Sequence, residues 1–217
     1  MQVFNSELST IAFIDLAGFS AIADVYGDVA AMSVLETFES MVGEALAGHG
    51  PPIKWIGDEA MLAFDEPDTA IKALGKLLLA CRNEPRLPLT RAGVNHGSVI
   101  RRAGDLFGST VNIAARIAAL ASPGQLLATQ PVAEAASAQG IAVRDLGKMP
   151  LRSVAEHVPL WEVELAPSAD PTWIDPVCKM HAPYAPYRRS EAAGPWFCSR
   201  RCEEAYWRSP QTYLRTR

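Results

Sequence analysis

Two aspartates, an asparagine–arginine pair and a late group of cysteines are the residues of this chain whose types and spacing suit chemistry. Asp15 ends an apolar stretch, Ser9 to Asp15, and Leu16-Ala17-Gly18-Phe19-Ser20 follows at once. A carboxylate at a strand end, beside a turn into a helix N-terminus, is a phosphate-handling arrangement: the first N–H groups of a helix lack intrahelical partners and its dipole favours negative charge. Asp58 lies in Gly57-Asp58 between the apolar stretches Pro52 to Ile56 and Ala60 to Phe64, the layout of a hairpin tip. If the first strand and this hairpin are neighbours, the two carboxylates converge on hard cations bridging a triphosphate, and oxygen ligands favour Mg²⁺ or Mn²⁺. Taken singly, Asp15 reads as a helix cap and Asp58 as a turn residue.

Asn112 and Arg116 are four apart in Val111-Asn112-Ile113-Ala114-Ala115-Arg116, hence on one face of a helix. Asparagine is a poor helix former, and here it interrupts a small, apolar segment, which suggests a polar task. An arginine beside it can donate to phosphate oxygens as charge builds in a transition state. The plainer alternative is a surface arginine next to a capping asparagine. Cys178, Cys198 and Cys202 offer thiolates for Zn²⁺ or Cu(I), with His181 or Asp175 completing a tetrahedral set. Unliganded cysteines in a small aromatic core of Trp173, Trp196, Phe197, Tyr206, Trp207 and Tyr213 are the competing reading.

The elements that must position these groups alternate. A strand over Ser9 to Asp15 leads into one long helix with Ile22, Tyr26, Val34, Phe38, Met41, Val42 and Ala45 at helical spacing. The hairpin follows, and Pro67 opens a helix with the stripe Ala70, Ile71, Leu74, Leu77, Leu78 and Cys81. A strand from Leu89 to Val99, a helix from Thr110 to Leu120 and strands near Val143 and Trp161 complete the series. This β-α-β-β-α-β order predicts a ferredoxin-like α+β sandwich with extensions.

The 217 residues carry a net charge of −4, but unevenly: residues 1–166 hold 12 Lys+Arg against 19 Asp+Glu, and residues 167–217 hold 8 against 5. The change of sign coincides with Ala166-Pro167-Ser168-Ala169-Asp170-Pro171, a small, proline-interrupted linker. Three parts are therefore expected, a main domain over 1–166, a linker over 167–172 and a cysteine-containing module over 173–217. No apolar run approaches the roughly 18–20 residues of a membrane helix, and the start lacks a signal-peptide layout, so a cytoplasmic protein with no membrane partner is expected. Disulfides are disfavoured in that compartment. Arg188-Arg189, Arg200-Arg201 and Arg208 give the module a basic balance, without the stacking-and-phosphate pattern of a nucleic-acid site.

Four segments carry a family resemblance. Phe13-Ile14-Asp15-Leu16-Ala17-Gly18-Phe19-Ser20, Lys54-Trp55-Ile56-Gly57-Asp58-Glu59, Arg91-Ala92-Gly93-Val94-Asn95-His96-Gly97 and Gly108-Ser109-Thr110-Val111-Asn112-Ile113-Ala114-Ala115-Arg116 resemble, in order and spacing, the class III adenylate/guanylate cyclase catalytic domain. The resemblance implies the nucleotide cyclase fold. It further implies ATP as substrate, two Mg²⁺ or Mn²⁺ per site held by Asp15, the Leu16 backbone and Asp58, and a phosphate-binding turn at Gly18, Phe19 and Ser20. Lys54 and Asp105 fall at the base-reading positions, and Asn112 and Arg116 at those acting on the transition state. Lysine donates and aspartate accepts, which complements the ring nitrogens and exocyclic amine of adenine rather than guanine. Arg152, in Leu151-Arg152-Ser153-Val154, replaces the lysine of the family's Leu-Lys-Gly segment and is a phosphate contact or a plain surface residue. The short stretch from Ser98 to Gly108 is similar to the compact bacterial subgroup. Members of this kind share each site between two chains, Asp15 and Asp58 from one and Lys54, Asp105, Asn112 and Arg116 from the other, which implies a homodimer. His96 is expected to be structural.

Asp175-Pro176-Val177-Cys178-Lys179-Met180, then Trp196-Phe197-Cys198-Ser199-Arg200-Arg201-Cys202, Tyr206, Pro210 and Tyr213-Leu214, resemble the YHS domain, a small module linked to metal handling. Lys179 departs from the usual glycine after the first cysteine. Two other functions remain open beside an adenylate cyclase, a non-catalytic nucleotide sensor of cyclase fold and a metal-responsive regulator in which that fold mainly dimerises.

Overall fold

In the computed structural model of the chain, residues 5–181 and 194–213 are described. Leu214 and the pair Arg188-Arg189 lie outside them. One eight-stranded sheet organises the main domain: β1 (Ser6–Leu16), β2 (Lys54–Ile56), β3 (Glu59–Phe64), β4 (Thr90–Arg102), β5 (Asp105–Phe107), β6 (Leu126–Ala128), β7 (Val143–Met149) and β8 (Val158–Val163). The strand order is β2-β3-β1-β4-β6-β8-β7, with β5 folded back on β4 and β6 the parallel neighbour of β4.

β1 is central and is buried on both faces, which is why its sequence is a continuous apolar run rather than a clean alternation. The period of two still decides the sides. Ala12, Ile14 and Leu16 face a core with Phe38 and Val42 of α2 (Asp28–Ala45), Leu74 and Leu77 of α3 (Pro67–Asn83), and Val132 and Ala136 of α5 (Gln130–Ala138). Ile11 and Phe13 face the other side, where Val111, Ala114 and Ala118 of α4 (Ser109–Leu120) cover them. Each such fully buried large side chain contributes about 1.5–3 kcal/mol.

Most expected elements are present, with three differences. The single long helix is two, α1 (Phe19–Tyr26) and α2, because Gly27 at φ +87° takes a backbone conformation that other residues avoid. The strand at Leu89 to Val99 extends to Arg102 and returns as β5. Between α4 and β7 stand β6 and α5. β6 is too short to show a period, and the alanine-rich stripe of α5 gives a weak apolar signal.

After residue 166 a 3₁₀ turn (Pro171–Trp173) precedes α6 (Arg200–Arg208) and α7 (Pro210–Tyr213). Their core is joined to the main domain. Val177, Cys178, Phe197, Cys202 and Tyr206 are buried together with Ile22 of α1 and Ala31 of α2. The preceding segment is also docked, with Arg82 Nε of α3 donating to the Pro167 carbonyl at 3.3 Å.

Candidate functional site

Asp15 follows Ile11 and Phe13 on the α4 side of the sheet, and register sets Glu59 of β3 and Arg91 of β4 directly beside it. Arg91 Nε donates to Asp15 Oδ2 at 2.6 Å, with Nη2 at 2.5 Å. Asp58 lies in the turn between β2 and β3, where Gly57 at φ +65° makes the reversal. Burial pushes the Asp58 carboxyl up to about 7, and the neighbouring Asp15 carboxylate pushes the same way. Burial and Asp15 likewise raise Glu59 to about 7. The structure thus brings Asp15 and Asp58 together, in an acidic group that Arg91 only partly neutralises. Hard oxygen donors whose mutual repulsion a divalent cation relieves are a fitting place for Mg²⁺ or Mn²⁺.

Lys54 of β2 and Asp105 of β5 also meet. Lys54 Nζ donates to both carboxylate oxygens, at 2.9 and 2.7 Å, and the Leu106 N–H adds a bond to Oδ1 at 2.8 Å. The lysine bond, above all, holds the Asp105 carboxyl below its usual range. Exposed Phe107 and Ile56 flank the pair as apolar surface.

Asn112 and Arg116 ride on α4, and its approach to the sheet is set by glycines of β4. A Cβ on Gly93 would lie 2.1 Å from the Ala118 nitrogen and 2.6 Å from the Ala114 oxygen, so only glycine lets the helix lie this close. A Cβ on Gly97 would meet the Thr110 hydroxyl oxygen at 2.8 Å. Buried Asn95 fixes the helix start: its Nδ2 donates to the Thr110 carbonyl at 3.1 Å, while its Oδ1 accepts from Thr129 at 2.8 Å. Asn112 is exposed and Arg116 half-buried, and among the described residues neither side chain has a hydrogen-bond partner. His96 pairs with the Thr10 hydroxyl at 2.9 Å, on the strands rather than in the acidic group.

Gly18, at φ +81°, begins α1, and Phe19 and Ser20 form its first turn. Arg152 is exposed in the β7–β8 connection, next to Ser153, which takes φ +60° where the family's glycine would stand. Lys179, after Cys178, also takes a positive φ, +59°.

In the C-terminal part the Sγ atoms of Cys178, Cys198 and Cys202 gather with the Asp175 carboxylate, their ligand atoms all within 4.8 Å of one another. Hydrogen bonds from Cys178 and Cys198 hold the Cys202 thiol low, whereas burial pushes Cys178 up. His181 is not part of this group, which corrects its place in the expected ligand set. Its ring faces the Arg82 guanidinium, with Arg82 Nη2 3.2 Å from Nε2. Asp175 stands in the group instead, since its carboxylate organises both cysteine-bearing segments.

Arg91, Glu59, Asn95 and Tyr26 are the neighbours that sequence reasoning did not single out for these sites. Arg91 and Asn95 lie two residues either side of Gly93, a spacing that puts all three on the same face of a strand.

The family profile described as the adenylate and guanylate cyclase catalytic domain matches residues 1–162. The chain belongs to this family. It is 35% identical over 161 residues to a pH-sensitive adenylate cyclase of Mycobacterium tuberculosis, covering 71% of this chain and 40% of that one. It is 30% identical over 118 residues to an adenylate cyclase of Streptomyces griseus, covering 54% and 30% respectively. The chain therefore spans less than half the length of these curated relatives. Among solved cyclase structures, the adenylyl cyclase CyaB of P. aeruginosa superposes with a TM-score of 0.64 at 19% identity, over 75% of this chain and 96% of that one. Adenylate cyclases of Trypanosoma brucei in their monomeric state reach 0.67 at 21%, over 75% and 90%. The nucleotide cyclase fold is common to all of them, and no helix among the described residues is long and apolar enough to cross a membrane.

Proposed function

We propose that this cyclase-family chain is an adenylate cyclase that converts ATP to 3′,5′-cyclic AMP and pyrophosphate. The observation that carries the reading is the Lys54–Asp105 pair, a donor and an acceptor held side by side and matched to the adenine edge. On binding, the base takes over contacts these two now make to each other. Asp105 accepts from the exocyclic amine, and Lys54 donates to a ring nitrogen.

Asp15 and Asp58, with the Leu16 backbone, would hold two Mg²⁺ or Mn²⁺ ions, which supply neutralisation of the triphosphate and activation of the ribose 3′-oxygen. The first turn of α1, Gly18 to Ser20, offers N–H groups to phosphate oxygens. Asn112 orients the ribose, and Arg116 donates to the phosphorane-like oxygens as negative charge develops. The 3′-oxygen bonds to the α-phosphorus, the bond to the pyrophosphate oxygen breaks, and the 3′ proton leaves to water. Arg152, exposed on the β7–β8 connection, is the weakest member of the proposed phosphate set.

One chain carries both half-sets, so the functional unit in this reading is a homodimer with two shared sites. Exposed Ile56 and Phe107 beside the adenine-reading pair suit burial against a second copy. Residues 173–217 are read as a YHS-like, metal-holding module after a linker at 167–172, and the protein as cytoplasmic, without a nucleic-acid partner. Incubating the purified chain with ATP and Mn²⁺ and measuring cyclic AMP tests the proposal. Binding of ATP without cyclic AMP would favour the non-catalytic sensor, and neither binding nor turnover would favour the metal-responsive regulator.

A further inference from the structure

Three thiols and a carboxylate meet where the C-terminal module packs on the catalytic domain. The sulfurs of Cys178 and Cys198 lie 3.5 Å apart and those of Cys198 and Cys202 3.6 Å apart. Tetrahedral Zn–S bonds of about 2.3 Å separate neighbouring sulfurs by about 3.8 Å, so a small outward shift admits the ion. Asp175 is fully buried and already oriented. Its Oδ1 accepts the Val177 N–H at 2.7 Å and the Cys178 N–H at 3.3 Å, while Oδ2 accepts the Cys198 N–H at 2.7 Å. Oδ2 thus keeps a lone pair for a cation, and the same carboxylate ties together two segments twenty residues apart in sequence.

The module does not close this group alone. Tyr26, the last residue of α1, places its hydroxyl 3.3 Å from the sulfurs of both Cys198 and Cys202. It also lies 2.5 Å from the Ser199 hydroxyl, which caps α6 by accepting the Cys202 N–H. The opposite end of α1 touches the group too. A Cβ on Gly18 would fall 3.0 Å from the carbonyl carbon and oxygen of Cys178. One residue on, the Lys179 carbonyl accepts the Leu89 N–H at 3.0 Å, and the Leu89 carbonyl accepts the Ala17 N–H at 2.8 Å. Both ends of α1 are therefore in contact with residues that hold or adjoin a thiol.

We propose that Asp175, Cys178, Cys198 and Cys202 bind one Zn²⁺ in a site shared with the catalytic domain, in which Tyr26 positions two thiolates, and that occupancy fixes α1 and the Ala17–Ser20 turn. A carboxylate oxygen among three thiolates suits borderline Zn²⁺ better than soft Cu(I). A phenol that donates to bound thiolates acts as an outer-shell partner, and removing such a partner costs about 10–100-fold in metal affinity. That the turn cradles phosphate rests on the function proposed above. The metal site deepens the metal-holding reading of residues 173–217, and neither it nor its grip on α1 depends on cyclase activity.

The full chain, stripped of metal under reducing conditions, is titrated with Zn²⁺ against a chromophoric chelator, with Co²⁺ as a spectroscopic substitute. One Zn²⁺ per chain is expected, and Co²⁺ should give thiolate charge-transfer and tetrahedral bands that Cys202→Ser diminishes. Tyr26→Phe keeps the ring and loses only the hydroxyl, and it should weaken Zn²⁺ binding about 10-fold or more. Hydrogen exchange over residues 17–26 should slow when Zn²⁺ is added to the parent chain, and slow less in Tyr26→Phe. Absence of stoichiometric Zn²⁺ uptake overturns the proposal, as does uptake of Cu(I) alone. Parent-like Zn²⁺ affinity in Tyr26→Phe, or exchange over 17–26 that ignores the metal, overturns the shared site. A chain that passes these tests but makes no cyclic AMP counts for the metal site and against the cyclase reading.

Discussion

Asp58 is crowded by Asp15, half-buried and poorly solvated, so its ionised form is costly. Replacing it with Asn removes the proposed metal ligand and a repulsion together. Asp58→Asn should cut cyclic AMP formation at least about 100-fold, the effect of losing some 3 kcal/mol of transition-state stabilisation. Its melting temperature without metal should stay level or rise. Near-parent activity would defeat the metal assignment. The Lys54–Asp105 pair calls for a different test, because at about one-third exposure it contributes at most about 1 kcal/mol to stability. Lys54→Glu combined with Asp105→Cys should leave the melting temperature nearly unchanged while kcat/KM for ATP falls at least about 100-fold. A parent enzyme that prefers GTP under matched conditions would contradict the adenine reading.

At the scale of elements, α4 can present Asn112 and Arg116 only because β4 offers it a glycine. Gly93→Ala would force a methyl to within 2.1 Å of the Ala118 nitrogen, and backbone on both sides leaves little room to yield. The expected cost is about 3 kcal/mol, or roughly 6–12 °C in melting temperature, with activity lost as α4 is displaced. Calorimetry that finds no change would show that the helix can move freely. Lys179 makes the opposite case. It holds φ +59° while its N–H donates to the Asp175 backbone carbonyl and its own carbonyl accepts the Leu89 N–H. Lys179→Gly should relieve about 1 kcal/mol of backbone strain and raise the melting temperature by ~2–4 °C.

For the whole molecule, the proposed sharing of each site between two chains predicts complementation. In an equal mixture of Asp15→Ala and Arg116→Ala chains, half the dimers are mixed and each keeps one intact site. About a quarter of parent activity should return. No rescue after confirmed subunit exchange would rule out a shared site. The C-terminal residues also share a core with α1 and α2. Ending the chain at Pro167 would uncover Ile22 and Phe19, which pack against Val177, Phe197 and Tyr206. Stability should fall by at least about 2 kcal/mol, about 4–8 °C, as measured by thermal unfolding.

Sequence alone carried the local features: strand and helix types, the carboxylate at the end of β1, the hairpin at Gly57-Asp58, and the i, i+4 spacing of Asn112 and Arg116. Those depend on neighbours along the chain and on periods of 2 and 3.6, which a linear reading can count. The break at Gly27 and the elements β6 and α5 escaped it, because one glycine, three strand residues and an alanine stripe are weak local signals. Pairings across the sheet lay further out of reach. Register alone sets Arg91 against Asp15, and only the folded β5 arm delivers Asp105 to Lys54. His181 and Asp175 were equal candidates beside the cysteines in sequence. Tertiary structure separated them, by setting His181 against Arg82 of α3 and by gathering three backbone N–H groups around the Asp175 carboxylate. Tyr26 is the extreme case, a residue of the first helix of the catalytic domain whose partners stand more than 170 positions away. No local pattern encodes such a contact, because it exists only once two separately legible segments have packed.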